Sequence, residues 1–303
     1  MDGLLLIDKP AGITSFDVVR QVRKLAKTRR VGHTGTLDPD ATGLLPIVIG
    51  HCTKLAKFLV FDQKEYVFEI QFGSEMDTDD STGEVIKTCE WEHITQAALE
   101  SALEQFRGPI MQVPPIYSAL KIDGKRAYDL ARAGQEVILE ARPVEIYGLE
   151  LLEFNAPNAR LRAQCSAGTY VRSLARDLGR ALESGAHTTS IRRTEIGNLN
   201  IGQAHALDAI DGERFTEYLI APLEMLSGLP GYEVSAAERL SIEYGQRIEI
   251  AADGFSELVV GDTIILRTAE PELLAVSEIE EILEGERLRI RPRRVFNDSR
   301  NGG

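Results

Sequence analysis

Apolar residues recur along this chain with two periods, and each period marks a different element. In "KEYVFEIQFG", residues 64–73, Tyr66, Phe68, Ile70 and Phe72 occupy every second position, which predicts a half-buried strand. "LLLIDKP", residues 4–10, opens with four apolar residues and reads as a buried strand ended by Pro10. "TSFDVVRQVRKLA" switches to helical spacing. Val18, Val22, Leu25 and Ala26 form its stripe, and Thr14 with Asp17 three residues on makes a capping-box start. "ITQAALESALEQFRG" predicts an amphipathic helix stopped by Gly108. "VEIYGLELLEF" and "ARLRAQCSAG" predict strands, and "TYVRSLARDLGRAL" a helix whose buried row is Val171, Leu174, Leu178 and Leu182. Arg172, Arg176 and Arg180 recur every fourth residue beside that row.

After "APLEMLSGLPGY" the texture changes. A short helix from Ser235 and the short strands "RIEIA", "DTIILRT", "LLAVSEI" and "RLRIRP" predict a small β-barrel appended to a larger unit. A chain of 303 residues is long for one core, so two domains are expected. No run reaches the ~18 apolar residues of a membrane helix, and "MDGLLLIDKP" carries an acid where a signal peptide has positive charge, so a cytoplasmic location is expected. Cys52, Cys89 and Cys165 are far apart and suggest neither a zinc site nor a disulfide framework.

Charge complicates the choice of partner. With 34 basic and 47 acidic residues the chain carries −13, which repels polyanions at long range. The sign is uneven, however. Residues 18–33 contain Arg20, Arg23, Lys24, Lys27, Arg29 and Arg30 and no acid, while Lys121, Lys125, Arg126 and Arg132 form a second basic patch. Residues 287–300 hold six arginines and one aspartate, next to an acidic run at Glu278, Glu280, Glu281 and Glu284. "EMDTDDSTGE" is an acidic, turn-rich loop that lacks the glycine and glutamate spacing of a calcium-binding hand.

The densest chemistry lies in "HTGTLDPDATG", residues 33–43. Asp38-Pro39-Asp40 fits an Asx turn. His33, Asp38 and Asp40 match no metal-ligand spacing, and the glycines lack the lysine of a phosphate loop. The remaining reading is a reactive carboxylate on a tight loop, backed by the apolar "GLLPIVIG".

"RRVGHTGTLDPDATGLLPIVIG" resembles the signature of the TruB family of tRNA pseudouridine synthases. "LLLIDKPAGITSFD", "KEYVFEIQFG", "VPPIYSALKIDGKRAYDLARAGQEV", "CSAGTYVRSLARDLG" and "IRRTEIG" follow in the family's order. The resemblance covers about the first 230 residues, and the stretch from Tyr232 to Phe296 resembles a PUA-type RNA-binding module. It implies an α/β (α+β) catalytic domain over residues 1–230 around a mixed, mainly antiparallel sheet. An RNA-gripping insertion at about 117–137, a PUA-like barrel over 231–297 and a disordered tail at 298–303 complete the expectation.

By the same resemblance Asp38 is the catalytic aspartate, Tyr66 the tyrosine that stacks on the target base and is implicated in its proton handling, and Arg172 the arginine paired with the aspartate. Ile191 is an apolar neighbour of the base, His33 inserts into the RNA loop, and Lys9 with Pro10 is the buried support beneath it. Arg20, Lys24, Lys27 and Lys121 are expected to touch RNA. The activity implied is isomerisation of a T-arm uridine of tRNA, flipped out of its loop, with N-glycosidic cleavage and re-attachment through carbon. No cofactor or metal is implied. A monomer with no obligatory protein partner is expected, since the insertion favours the stand-alone type over the guide-RNA-dependent dyskerin type. A catalytically inert RNA-binding protein is the rival from another class, against which Asp38, Tyr66 and Arg172 argue.

If the helix carrying Arg20, Lys24 and Lys27 contacts phosphates, replacing the three by Gln weakens RNA binding. The slope of log affinity against log salt then flattens by about one unit per true contact. An unchanged slope in a salt titration would make this face merely solvated.

Overall fold

The computed structural model describes residues 1–59, 62–118, 120–122, 125–126, 137–270 and 272–296, with 121–122 and 125–126 described as backbone only. In chain order the first unit contains β1 (Gly3–Lys9), α1 (Ser15–Leu25), β2 (Val31–His33), β3 (Thr42–Ile49), β4 (Gln63–Phe72), β5 (Ser74–Met76), β6 (Val85–Thr88), α2 (Gln96–Glu104) and β7 (Gly108–Gln112). It continues through β8 (Lys121–Ile122), β9 (Lys125–Arg126), β10 (Arg142–Asn155), β11 (Asn158–Ser166), α3 (Val171–Ala181), β12 (Ala186–Ile196), β13 (Leu199–Asn200) and β14 (His205–Ala206). The main sheet runs β14-β1-β3-β12-β4-β11-β10-β7, with β2 beside β3 and β13 beside β12. Only β1–β14 and β3–β12 pair in parallel, so the sheet is mixed and mainly antiparallel.

The apolar patterns explain the layers. β1 is covered on both faces, which is why Leu4 to Ile7 form a continuous apolar run. Leu5 and Ile7 pack with Val18, Val19 and Val22 of α1, whereas Leu4 and Leu6 face Met225, Leu226, Ile265, Leu273 and Val276. On β4, Tyr66, Phe68, Ile70 and Phe72 pack with Val171, Leu174, Ala175 and Leu178 of α3. The start of α1 is the predicted capping box, with Thr14 and Asp17 each accepting from the other's backbone N–H. The second helix departs from expectation. α2 ends at Glu104, and Gly108 (φ 81°) opens β7 instead of closing the helix.

Two glycines are dictated by close approach. Gly43 has φ 100°, and a Cβ there would lie 2.2 Å from the carbonyl oxygen of Arg193 across the β3–β12 pairing. At Gly179, on α3, a Cβ would lie 2.2 Å from the Ala186 nitrogen where β12 begins. The first contact locks the strand leaving the "HTGTLDPDATG" loop to β12, and the second seats α3 against the same strand.

After α4 (Pro222–Met225), the strands β15 (Gly231–Glu233), β16 (Ile248–Ala251), β17 (Thr263–Arg267), β18 (Leu273–Leu283) and β19 (Arg287–Val295) form a second sheet, ordered β15-β17-β18-β19-β16, with α5 (Ala236–Glu243) beside it. The arginines of β19 face the acidic run across the strand pair. Arg293 bonds Glu278 at 2.8 Å, Arg289 pairs with Glu281 and Glu249, and Arg287 reaches Glu249 at 3.1 Å. Arg287, Arg289 and Arg293 are therefore neutralised by glutamates of β16 and β18, while Arg294 bonds the Arg293 carbonyl.

Ile265, Leu273 and Val276 share one apolar cluster with Leu4, Leu6, Leu44 and Val48 of the first sheet. Leu6→Ala and Ile265→Ala, on opposite sides of that seam, should each lower the stability of a single denaturant transition by about 2–5 kcal/mol. Two separate transitions, each variant moving only one, would show that the seam does not couple the sheets.

Candidate active site

The loop between β2 and β3 is fixed from two sides. Below it, the buried Lys9 ammonium donates to the carbonyls of Pro10 (2.8 Å), Ile13 (2.7 Å) and Pro39 (2.8 Å). Ser15, buried at the start of α1, bonds both the carbonyl (3.0 Å) and the N–H (2.9 Å) of Leu37. On the other side the fully buried Arg193 donates to the carbonyls of Leu44 (2.9 Å) and Gly35 (3.2 Å). Asp38 thus hangs from a loop whose neighbouring backbone is bonded at residues 35, 37, 39 and 44. Pro10 is exposed, so the buried support is the lysine alone.

Arg172 reaches the loop from the first turn of α3. Its Nη2 lies 3.0 Å from a carboxylate oxygen of Asp38 and also donates to the Tyr117 carbonyl at 3.0 Å. Its Nη1 donates to the Thr78 carbonyl at 2.9 Å and sits 3.3 Å from Asp80. The guanidinium does not grip Asp38 with a fork. One arm serves Asp38 and the other Asp80, and backbone carbonyls saturate both. Arg172 is buried, with 6% of its side chain exposed, whereas Asp38 keeps 44% open. The cation is a fixed part of the wall, and the carboxylate faces the cavity.

The acidic loop after β5 supplies the counter-charges. Asp80 accepts from the Thr78 hydroxyl (2.8 Å) and the Thr82 N–H (3.0 Å), which aims its other oxygen at Arg172. Asp79, held at φ 60°, pairs with Arg176 at 2.7 Å, and Glu75 pairs with Arg180 at 2.6 Å. The arginines spaced four apart on α3 therefore dock in turn against Asp80 and Asp79 of the loop and Glu75 of β5. Sequence reading placed both series but not their pairing, so Asp79, Asp80, Arg176 and Arg193 went unassigned. The four-residue recurrence beside an acidic loop was the available signal.

A cavity of about 640 Å³ opens between these elements, lined by Asp38, Arg172, His33 and Ile191 together with Asp80, Tyr117, Thr188 and Phe16. Tyr66 stands apart. It is buried in β4, off the cavity wall, opposite Arg193 of β12 and within electrostatic reach of Asp38. Arg20, Lys24 and Lys27 lie outside the cavity lining. Arg20 pairs with Asp17, and Lys24 is exposed beyond it. The side chain of Lys121 and most of the 117–137 insertion lie outside the described residues.

Burial sets the electrostatics. Desolvation pushes the Asp38 carboxyl above the ordinary aspartate range, Arg172 opposes that shift, and the nearby Asp80 charge adds to it. Tyr66 is pushed up by burial, with Arg193 acting in the opposite direction. His33 is pushed down by burial and by the Arg193 charge, both of which favour its neutral imidazole. Lys9 is lowered to about 8, again mainly by burial, with Asp40 and Asp38 opposing.

Among known proteins, residues 23–171 match the family described as "TruB family pseudouridylate synthase (N terminal domain)". A protein named tRNA pseudouridine synthase B from Haemophilus influenzae (strain 86-028NP) is 38% identical over 306 aligned positions, covering 99% of this chain and 96% of its own. Another of that name, from Aromatoleum aromaticum, is 47% identical over 240 positions, covering 78% and 77%. A chain from the solved structure of an H/ACA RNP bound to a substrate RNA containing 2'-deoxyuridine superposes with a TM-score of 0.73 at 23% identity, covering 97% of this chain and 85% of that one. At that identity the likeness speaks for the fold alone.

Three carbonyls need three N–H donors on Lys9, and the neutral amine has only two. Turnover should therefore fall as pH rises through about 8. A folded pKa below the ordinary 10.5 makes folding more favourable, not less, as pH rises between those values, so the loss should track the loop and not global unfolding. Single-turnover rates and Tm measured side by side check this. In Lys9→Met the alkaline fall should vanish along with most activity. A fall that persists there assigns the limb to another group.

Proposed function

Since this chain belongs to the TruB family of pseudouridylate synthases, we propose that it converts a uridine in the T-arm loop of tRNA to pseudouridine, with Asp38 as the catalytic carboxylate. The observation that carries the reading is the 3.0 Å contact between Asp38 and the buried Arg172 at the wall of a cavity of about 640 Å³. A uridine inside a folded loop is out of reach, so the base must leave its stack and enter such a cavity. Ile191 offers it an apolar wall.

The chemistry is an isomerisation. The bond from N1 to C1′ breaks, a bond from C5 to C1′ forms, C5 gives up a proton and N1 gains one. Atoms and electrons balance within the nucleotide. An ionised carboxylate at a fixed position serves this rearrangement, and Arg172 keeps Asp38 both ionised and directed. Tyr66 sits beneath the site rather than on its wall, which supports an electrostatic or proton-handling part for it more than direct stacking in this conformation. His33, on the cavity lining and pushed toward its neutral form, is suited to packing among bases that the extruded uridine leaves behind.

The protein acts as a cytoplasmic, stand-alone monomer in this reading, with residues 1–230 as its catalytic unit and 231–297 as an accessory RNA-binding module. Among the described residues no helix is long and apolar enough to cross a membrane. Incubation with unmodified tRNA, chelator and no added cofactor, followed by position-resolved pseudouridine mapping, tests the assignment. The wild type should modify one T-arm uridine. Asp38→Asn should give no product while binding tRNA within a few-fold of wild type, because the RNA-gripping surface lies elsewhere. Product at other positions only, or an active Asp38→Asn, contradicts the reading.

A further inference from the structure

Phe16 is 54% exposed in the first turn of α1, although three of its neighbours on that helix, Val18, Val19 and Val22, are buried. A single exposed apolar side chain needs no special account. Its surroundings do. Phe16 lines the same cavity as Asp38 and His33, and the guanidinium carbons of Arg20 and Arg23 lie 5.9 and 5.5 Å from its ring centroid. Two cations therefore attend one ring at the mouth of the candidate active site. The only nearby acid on α1, Asp17, is already engaged by Thr14 and Arg20. Arg23 is anchored by its bond to the Val31 carbonyl at 3.2 Å, which fixes the guanidinium and with it the ring's cationic flank.

We infer that Phe16 is a stacking platform for a second unpaired base of the RNA substrate's loop, a neighbour of the extruded uridine. The inference rests on the RNA-modifying reading above and extends it to a specificity-determining residue. An exposed ring with guanidinium groups over it matches a nucleotide on two counts: the base stacks on the exposed part of the ring, and its phosphate meets the exposed Lys24 and Arg20, which shares its charge with Asp17. Extruding one base from a compact loop costs its neighbour a stacking partner. A ring at the cavity mouth replaces that partner where the loss occurs. The aromatic face, not apolar bulk, is what the role requires.

The test is a cycle between protein and RNA. Wild type, Phe16→Ala, Phe16→Leu and Phe16→Tyr are assayed for Kd and single-turnover rate on a T-arm hairpin, and on hairpins carrying one abasic nucleotide at each unpaired loop position other than the target. Phe16→Ala and Phe16→Leu should weaken binding of the intact hairpin by about tenfold, the equivalent of about 1.4 kcal/mol, with a smaller change in rate at saturating RNA. Phe16→Tyr should bind as wild type does. On one abasic hairpin the loss in Phe16→Ala should disappear, because the base it would have stacked is gone. An undiminished affinity in Phe16→Ala, a loss of equal size on every abasic hairpin, or a tyrosine as weak as alanine overturns the inference. A wild type that makes no pseudouridine in the hairpin defeats the underlying functional reading instead, so the two failures are told apart.

Discussion

The arrangement depends on one buried cation. Arg172 is almost wholly withdrawn from water, and a guanidinium so placed must find acceptors on every side. It finds the Thr78 and Tyr117 carbonyls, Asp80 and Asp38. Satisfying it draws three separate segments to one point: the acidic loop after β5, the start of the 117–137 insertion, and the loop bearing Asp38. The remaining polar fixings serve the same end. Lys9, Ser15 and Arg193 hold the Asp38 loop by its backbone, so that its carboxylate, half open to the cavity, is presented against a charge that cannot move away.

A chain of −13 overall can be read as acting on RNA only through a local face. Internal pairs remove equal numbers of both signs and leave that excess in place, so what counts is where unpaired basic side chains gather. Asp79, Asp80 and Glu75 pair with Arg176, Arg172 and Arg180, and the glutamates of the second sheet pair with Arg289 and Arg293. The face of α1 differs: among the described residues Asp17, which also caps the helix, pairs with Arg20, Arg23 bonds the Val31 carbonyl, and Lys24 is exposed. Long-range repulsion by the net charge is screened beyond about 8–10 Å at ordinary salt, so this local face governs the encounter at contact.

Much of the fold was legible in the sequence because burial writes a period into it. The alternation at Tyr66–Phe72, the helical stripe at Val18 and Val22, and the capping box at Thr14 correspond to β4 and α1 as built. The end of α2 was not legible, since Gly108 serves a positive-φ strand start and sequence alone does not distinguish this from a helix stop. In the site, the loop carrying Asp38 stood out by its motif. Arg172 was assigned only through the family resemblance, and its burial with that of Arg176 was not legible, because an arginine at every fourth residue of a helix ordinarily faces solvent. Only the acids that α3 meets in space turn Arg172 and Arg176 inward, and those pairs span 92 to 97 positions. Phe16 was hidden for the opposite reason. Its apolar character suits the core, and its exposure is a property of the folded surface.

The most direct measurement of this account is the pH dependence of single-turnover isomerisation in wild type and Arg172→Ala, with RNA binding measured separately. In the proposed function turnover requires the ionised Asp38, whose pKa burial and Asp80 raise and Arg172 lowers. Removing the guanidinium leaves the raising effects unopposed, so the acidic limb should move to higher pH and the plateau should drop, while Arg172→Lys keeps the charge and a residue of activity. An Arg172→Ala profile that overlays wild type at every pH would contradict the account and make Arg172 a structural residue of α3 alone.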